Sequence, residues 1–425
     1  MKKETTLIVG DCIAGISCAE TLRQYGYDGN IIMLSKEEYP AYGRPLISYY
    51  LAGKISFDNI FLRDEDFYEK MNIEHHLNTK VVSIDFDNCK VNTEKGKVFS
   101  YDKLVIAAGG NPFIPPIKGS ENVSGVTTFT TLKDALYIEE HLDSIEKVVV
   151  LGAGLIGLKA TEALSYRGKD ITMVELANRV LPTVLDVEGG NYFYERMKKD
   201  GIKFFFENTV EEVISENGKI RGVRLKSGDE LICDLLIIAI GVRPNLDFID
   251  KSKLDCGRGI KINKNSKTNV DNVYAAGDIA DAYDLIFNTV RNMPIWPNAY
   301  WQGRFAALDI VGKEYDFSGH IVMNSIAYKD LPMISAGIIE APNVEIESKI
   351  IKTEKTYRRF NFQEDKLVGM LFIGDVQDKG VLIHLMNHQD LVPKLKDRIF
   401  KEDFSFIDFP EDYREEHLKA AYKKI

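Results

Sequence analysis

The chain has 425 residues, more than one ordinary hydrophobic core accommodates, so two or three domains are expected. A content of 45% apolar and 28% charged residues marks a soluble globular protein, and a net charge of −10 excludes general nucleic-acid binding, which needs a cationic surface. No apolar stretch reaches membrane-spanning length, and Met1, Lys2, Lys3 and Glu4 run directly into the first strand. That leaves no room for a signal peptide, and the expected location is cytoplasmic.

The first predicted unit is a β-branched run, residues 7–9, entering Gly10-Asp11-Cys12-Ile13-Ala14-Gly15 and leaving as a helix over residues 16–23. In such a strand–turn–helix, Gly10 permits the tight turn and Gly15 lets helix pack on strand. Cys12 occupies the position where backbone approaches a pyrophosphate, with Ile13 and Ala14 following at the helix start. The next strand ends at Ser35, where an acid for a ribose is usual, and Lys36 and Glu37 follow. The ribose contact is therefore Ser35, Glu37, or both. Arg44 and Pro45 come next, and residues 101–110 form a strand ending in Ala108-Gly109. Residues 111–119 are a proline-rich crossing that no helix or central strand could occupy.

A second unit repeats the pattern. Residues 148–151 enter Gly152-Ala153-Gly154-Leu155-Ile156-Gly157, with a helix predicted over 158–166. Glu175 lies 175 − 152 = 23 positions after the first glycine, where a carboxylate takes both adenosine ribose hydroxyls. It would repel a 2′-phosphate, which favours NADH over NADPH. Residues 238–245, including Gly241, cross back, and residues 268–278 are read as a strand delivering Gly277 and Asp278. Pro297 suits the first turn of a following helix, and both tryptophans, Trp296 and Trp301, fall in this stretch. A third region from about residue 315 mixes strands (367–373) with a helical tail over 411–425. Residues 349–359 and 394–401 are basic clusters that an acidic partner could use. Cys18 and Cys233 read as buried structural thiols, and His384 and His388 lack a third ligand, so no metal site is expected.

These five motifs, in this order, resemble the FAD- and NAD(P)-dependent pyridine nucleotide–disulfide oxidoreductase superfamily. The resemblance implies an α/β fold: an FAD domain (1–118 and 243–314) with an inserted NAD domain (119–242), both Rossmann-like, and a C-terminal α+β domain (315–425). It assigns Gly10, Cys12, Ile13, Ala14, Gly15, Ser35, Lys36, Glu37, Arg44, Pro45, Ala108, Gly109, Gly277, Asp278 and Pro297 to FAD. It assigns Gly152, Gly154, Leu155, Ile156, Gly157 and Glu175 to NAD, and counts Gly241, in the crossing between the domains, among the cofactor-binding residues. Residues 36–51, where disulfide members carry their redox cysteines, contain none. The region around Arg44-Pro45 is instead similar to the NADH:rubredoxin and ferredoxin reductases and to the flavin module of NADH-dependent nitrite reductases. In that branch a lysine after the Arg-Pro motif pairs with a glutamate after the second fingerprint. Tyr49 or Tyr50 stands for the lysine here, and Lys159 for the glutamate. Lys159, Tyr49 and Trp296 are accordingly expected beside the flavin, Lys159 supplying positive charge near N5.

The expected activity is electron transfer between NADH and a one-electron iron–sulfur protein of ferredoxin or rubredoxin type, through FAD and without a redox cysteine. A thiol-independent NADH oxidase, a nitrite-reductase flavin component, or an FAD/NADH-dependent redox sensor are the alternatives. Either a homo-oligomer or a subunit of a larger complex fits, with neither nucleic acid nor membrane as a partner.

Overall fold

The computed structural model describes residues 3–315, 317–341 and 344–422, which form two compact units. The first comprises Met1–Leu181, Met197–Asp284 and Asn288–His320; the second comprises Pro182–Arg196, Leu285–Phe287 and Ile321–Ile425.

The first unit opens with β1 (Thr5–Val9), α1 (Ile13–Gln24), β2 (Asn30–Leu34), α2 (Ile47–Leu51), β3 (Ile73–His76) and β4 (Lys103–Ile106). It continues through β5 (Val126–Thr128), α3 (Leu132–His141), β6 (Lys147–Leu151), α4 (Leu155–Tyr166), β7 (Asp170–Val174), β8 (Lys203–Phe205) and β9 (Leu235–Ile238). It closes with β10 (Val273–Ala275) and α5 (Trp296–Ile310). Two parallel five-stranded sheets result, in the orders β10-β4-β1-β2-β3 and β8-β7-β6-β9-β5. Each places its fingerprint strand at the centre. All five residues of β1 are buried, as a strand covered by helices on both faces requires. Ile8, Ile16, Leu22, Ile31, Met33 and Tyr274 pack around the first sheet, and Val149, Val174, Val223 and Leu236 around the second.

Both fingerprint helices start three residues earlier than the periodicity predicts, at Ile13 and Leu155. Glycine is a poor helix former, so Gly15 and Gly157 hide the true start. Packing explains their position. A Cβ on Gly15 would lie 2.1 Å from Gly10 O, and one on Gly157 only 1.9 Å from Gly152 O. Only glycine lets the first helical turn close onto its own phosphate loop.

The chain passes between the two sheets twice, and the two passages pair: Gly110–Pro112 runs antiparallel to Val242–Pro244. The Phe113 N–H donates to Gly241 O at 2.9 Å, and Arg243 lies over the Phe113 ring at 3.6 Å.

The second unit contains β11 (Met323–Tyr328), β12 (Leu331–Gly337), β13 (Glu347–Lys352), β14 (Tyr357–Gln363), β15 (Lys366–Ile373), α6 (Gly380–Asn387) and α7 (Glu411–Tyr422). The strands form an antiparallel sheet in the order β11-β12-β15-β14-β13. Seven of the eight residues of β15 are buried, and Phe360, Met370, Phe372, Leu385 and Phe409 lie in the core. The helical tail ends at Tyr422, and residues 423–425 of the predicted helix lie outside the described residues. Several cations of the 349–359 cluster are engaged within this unit. Lys349 lies over Phe400, while Lys352, Arg358 and Arg359 pair with Glu188, Glu402 and Asp186. Among the described residues no helix is long and apolar enough to cross a membrane.

Candidate functional site

Three helices of twelve or more residues in the first unit begin without a side-chain cap. The N-cap residues are Cys12 for α1, Gly154 for α4 and Ile295 for α5. By contrast α3 has a complete capping box from Thr131 and Asp134. An uncapped helix of three or four turns presents orphan N–H groups and the positive end of its dipole. The first two follow the central strands of the parallel sheets, the place where such folds bind dinucleotides.

Around the first fingerprint the predicted residues converge. Ile13, Ala14, Ala107, Ala276 and Ala299 form one small apolar cluster, with the half-buried Trp296 against it. The ends of β1, β4 and β10 and the start of α5 therefore meet at one point. Gly10 has φ +114°, and a Cβ there would stand 2.1 Å from Ala107 O. Gly277 has φ +84° and faces the Cβ atoms of Ala14 and Ala299. Its N–H donates to Gln302 Oε1 at 2.8 Å, and the Gln302 amide lies 3.4 Å from Nε2 of buried His320. Pro297 occupies the first turn of α5. Ala108 and Gly109 are half-buried beyond β4, and Gly109 O accepts from Asn245 N–H at 3.0 Å.

Arg44 supplies the positive charge. It ion-pairs with Glu37 and donates to Tyr42 Oη at 3.2 Å and Thr130 O at 3.0 Å. Burial raises the Cys12 thiol above its ordinary value and does the same to the Asp278 carboxyl; the Arg44 charge opposes both. The charge of one guanidinium thus acts on both the turn after β1 and the turn after β10. Tyr42 donates to Glu37 at 2.6 Å and accepts the Leu132 N–H at 2.9 Å, a role that sequence reasoning missed. Pro45 follows Arg44 in the short 3₁₀ turn leading to α2. Ser35 is 2% exposed, and its hydroxyl accepts the Glu37 N–H at 3.2 Å, which leaves the Glu37 carboxylate as the more accessible group. Lys36 Nζ donates to Asn111 Oδ1 at 2.9 Å, reaching the crossing rather than the fingerprint.

At the second fingerprint, Gly152 has φ +107° and Gly154 has open space where a Cβ would stand. Leu155 and Ile156 form the first turn of α4 with Gly157. Glu175 folds back onto this loop, accepting the Ala153 N–H at 2.7 Å and the Ala177 N–H at 2.8 Å. Each carboxylate oxygen keeps a further lone pair for a ribose hydroxyl. Gly241, at φ +113°, lies in the crossing rather than in either loop.

Lys159 and Tyr49 meet where α4 approaches α2. Lys159 Nζ lies 4.9 Å from the centre of the Tyr49 ring and ion-pairs with Glu162. Its side chain is only 18% exposed, so it is not the solvated helix lysine that its sequence position would suggest. Glu162 and Lys54, 4.0 Å apart, complete this group, and neither was singled out by the sequence. Cys18 and Cys233 are buried, and burial pushes each thiol up to about 12. Among the described residues no group of three His, Cys, Asp or Glu is placed to hold a metal ion.

Residues 4–303 match the family described as pyridine nucleotide-disulphide oxidoreductase. The chain belongs to this family. Residues 323–389 match the family described as rubredoxin NAD+ reductase C-terminal domain. The chain is 30% identical over 412 residues to the assimilatory nitrate reductase electron transfer subunit of Bacillus subtilis, covering 95% of this chain and 52% of that protein. It therefore spans about half the length of that relative. It is 32% identical over 360 residues to the rubredoxin-NAD(+) reductase of Pseudomonas putida, covering 82% of this chain and 93% of that one. Among solved structures, the ferredoxin reductase for the CYP199A2 system of Rhodopseudomonas palustris superimposes with a TM-score of 0.81. That match has 26% identity and covers 87% of this chain and 91% of the other. The resemblance to non-disulfide members of the family drawn from the motifs around Arg44 agrees with these relatives.

Proposed function

We propose that the protein is an NADH-dependent FAD oxidoreductase that passes electrons to a small iron–sulfur protein. Residues 1–118 and 243–314 hold FAD in this reading, residues 119–242 hold NADH, and residues 315–425 form the C-terminal α+β domain. The observation that carries it is the pair of parallel sheets of equivalent strand order, each with an uncapped helix behind its central strand, in one compact unit.

The residues fit two dinucleotides. The α1 amides and Arg44 receive the FAD pyrophosphate, Glu37 its ribose, and Asp278 its ribityl hydroxyls. The α4 amides receive the NADH pyrophosphate, and Glu175 holds the adenosine ribose and repels a 2′-phosphate. Bound FAD supplies the capacity to take a hydride from NADH at N5 and release its electrons one at a time. The chain's own part is to orient the rings and to tune charge around them. With FAD bound, the uncapped start of α5 would offer a positive dipole end to the flavin pyrimidine, worth about 1 kcal/mol to an anionic ring, and Trp296 would shield the ring from water. Burial pushes the Cys18 and Cys233 thiols up to about 12 and residues 36–51 carry no sulfur, which supports transfer without a thiol relay.

The test is steady-state NADH oxidation by the purified yellow protein with rubredoxin, ferredoxin, oxygen and a dye. Fast turnover with an iron–sulfur acceptor and slow turnover with oxygen are expected. A colourless protein that refuses added FAD would overturn the reading, and rapid oxygen consumption would favour an oxidase.

A further inference from the structure

The second turn of α4 buries a carboxylate. Glu162 has a side chain only 7% exposed, one helical turn beyond Lys159. An ionised carboxylate buried to this degree is retained only with close cationic partners. Two are present, from different parts of the chain. Lys159, on the same helix, pairs with it directly, and Lys54, just after α2, lies 4.0 Å away. Aromatic rings cover both ammonium groups. Tyr49 lies 4.9 Å from Lys159 Nζ, and Tyr166 lies 3.8 Å from Lys54 Nζ, with Tyr49 also within 5.7 Å of Lys54. A few residues on, Arg167 pairs with Glu139 of α3, so the contact continues along the helix. Glu162 thus joins the end of α2 to α4. Those two helices carry Tyr49 and Lys159, which the family resemblance places beside the flavin.

We infer that Glu162 is a positioning residue for hydride transfer: it holds the Lys159 ammonium against the Tyr49 ring and fixes the α2–α4 seam at which the nicotinamide stacks. The inference rests on the reading of the protein as an NADH-dependent flavoprotein. Glu162 acts through the Lys159 ammonium, with which it pairs directly and which lies 4.9 Å from the centre of the Tyr49 ring.

The experiment is anaerobic stopped-flow reduction of the FAD-loaded protein by NADH, with wild type, Glu162→Gln, Lys159→Met and the double variant, alongside equilibration of each flavin with a redox dye. Glu162→Gln is expected to lower the limiting reduction rate about tenfold, the scale of a sub-ångström misplacement, while NADH affinity changes less than threefold. Removing the Glu162 negative charge should shift the flavin–dye equilibrium toward reduced flavin by about tenfold, some 30 mV for a two-electron couple. Adding Lys159→Met should reverse that shift, which a purely structural role would not do. If Glu162→Gln folds poorly, Lys159→Met alone should slow reduction by a similar factor. An unchanged rate and dye equilibrium in both single variants, with an effect only on melting temperature, would overturn the inference. A wild-type protein whose flavin dithionite reduces but NADH does not would overturn the functional reading itself, and the inference with it.

Discussion

Replacing Gly157 with alanine should damage the nicotinamide half of the site while sparing the flavin half. The glycine's backbone is not left-handed, so the cost is purely steric. Its new Cβ would lie 1.9 Å from Gly152 O and 3.0 Å from Gly152 C, and both are backbone atoms that no side-chain rotation can move. Bringing the closer contact even to 3.0 Å requires a shift of 3.0 − 1.9 = 1.1 Å between the start of α4 and its loop. Overpacking of this kind costs about 2 kcal/mol, and a displacement of about 1 Å at a reacting pair costs up to a hundredfold in rate. The expected outcome is an FAD-replete protein that dithionite reduces normally and NADH reduces about thirtyfold less efficiently in kcat/KM. Flavin absorbance, dithionite titration and NADH stopped-flow on the same preparation measure this directly. Wild-type kcat/KM for NADH would refute the reasoning, because it would mean that α4 has room the backbone geometry denies. Loss of FAD with normal handling of NADH would refute it as well.

Glu175→Ser should raise the KM for NADH about tenfold and narrow the preference for NADH over NADPH by at least that factor, since one carboxylate supplies both contact and repulsion. Parallel KM measurements with the two nucleotides check it, and an unchanged ratio would count against the assignment. His320 is buried, and burial pushes its pKa down to about 4 from an ordinary value near 6.5. The unfolded chain therefore binds a proton that the folded chain refuses. Stability should fall as pH drops through 6.5 and level off below 4, a loss of at most about 3 kcal/mol. Denaturant midpoints between pH 7 and 4.5 should show a shallower slope for His320→Leu, and equal slopes would refute the linkage.

The strand–glycine–helix units are legible because their signals are local: a β-branched run, a turn glycine and a helical period lie within about twenty residues of one another. Their helix starts are misread for an equally local reason, because Gly15 and Gly157 look like breakers until the close approach to Gly10 O and Gly152 O is seen. Tyr42 and Glu162 escape for the opposite reason. Tyr42 matters through the Leu132 N–H, and Glu162 through Lys54, partners remote in sequence that no periodicity connects. Lys159 shows the limit most clearly. Its substitution is visible in the fingerprint, but the carboxylate that accompanies its charge sits one helical turn away and reads as an ordinary helix acid.

The paired passages Gly110–Pro112 and Val242–Pro244 carry a last implication. A segment that departs and returns through one doorway keeps its ends side by side, so it can be lifted out, swapped between relatives or reopened at a new terminus without unthreading the rest. Because the two passages are hydrogen-bonded to each other, they should move together as one connection and not as two independent linkers.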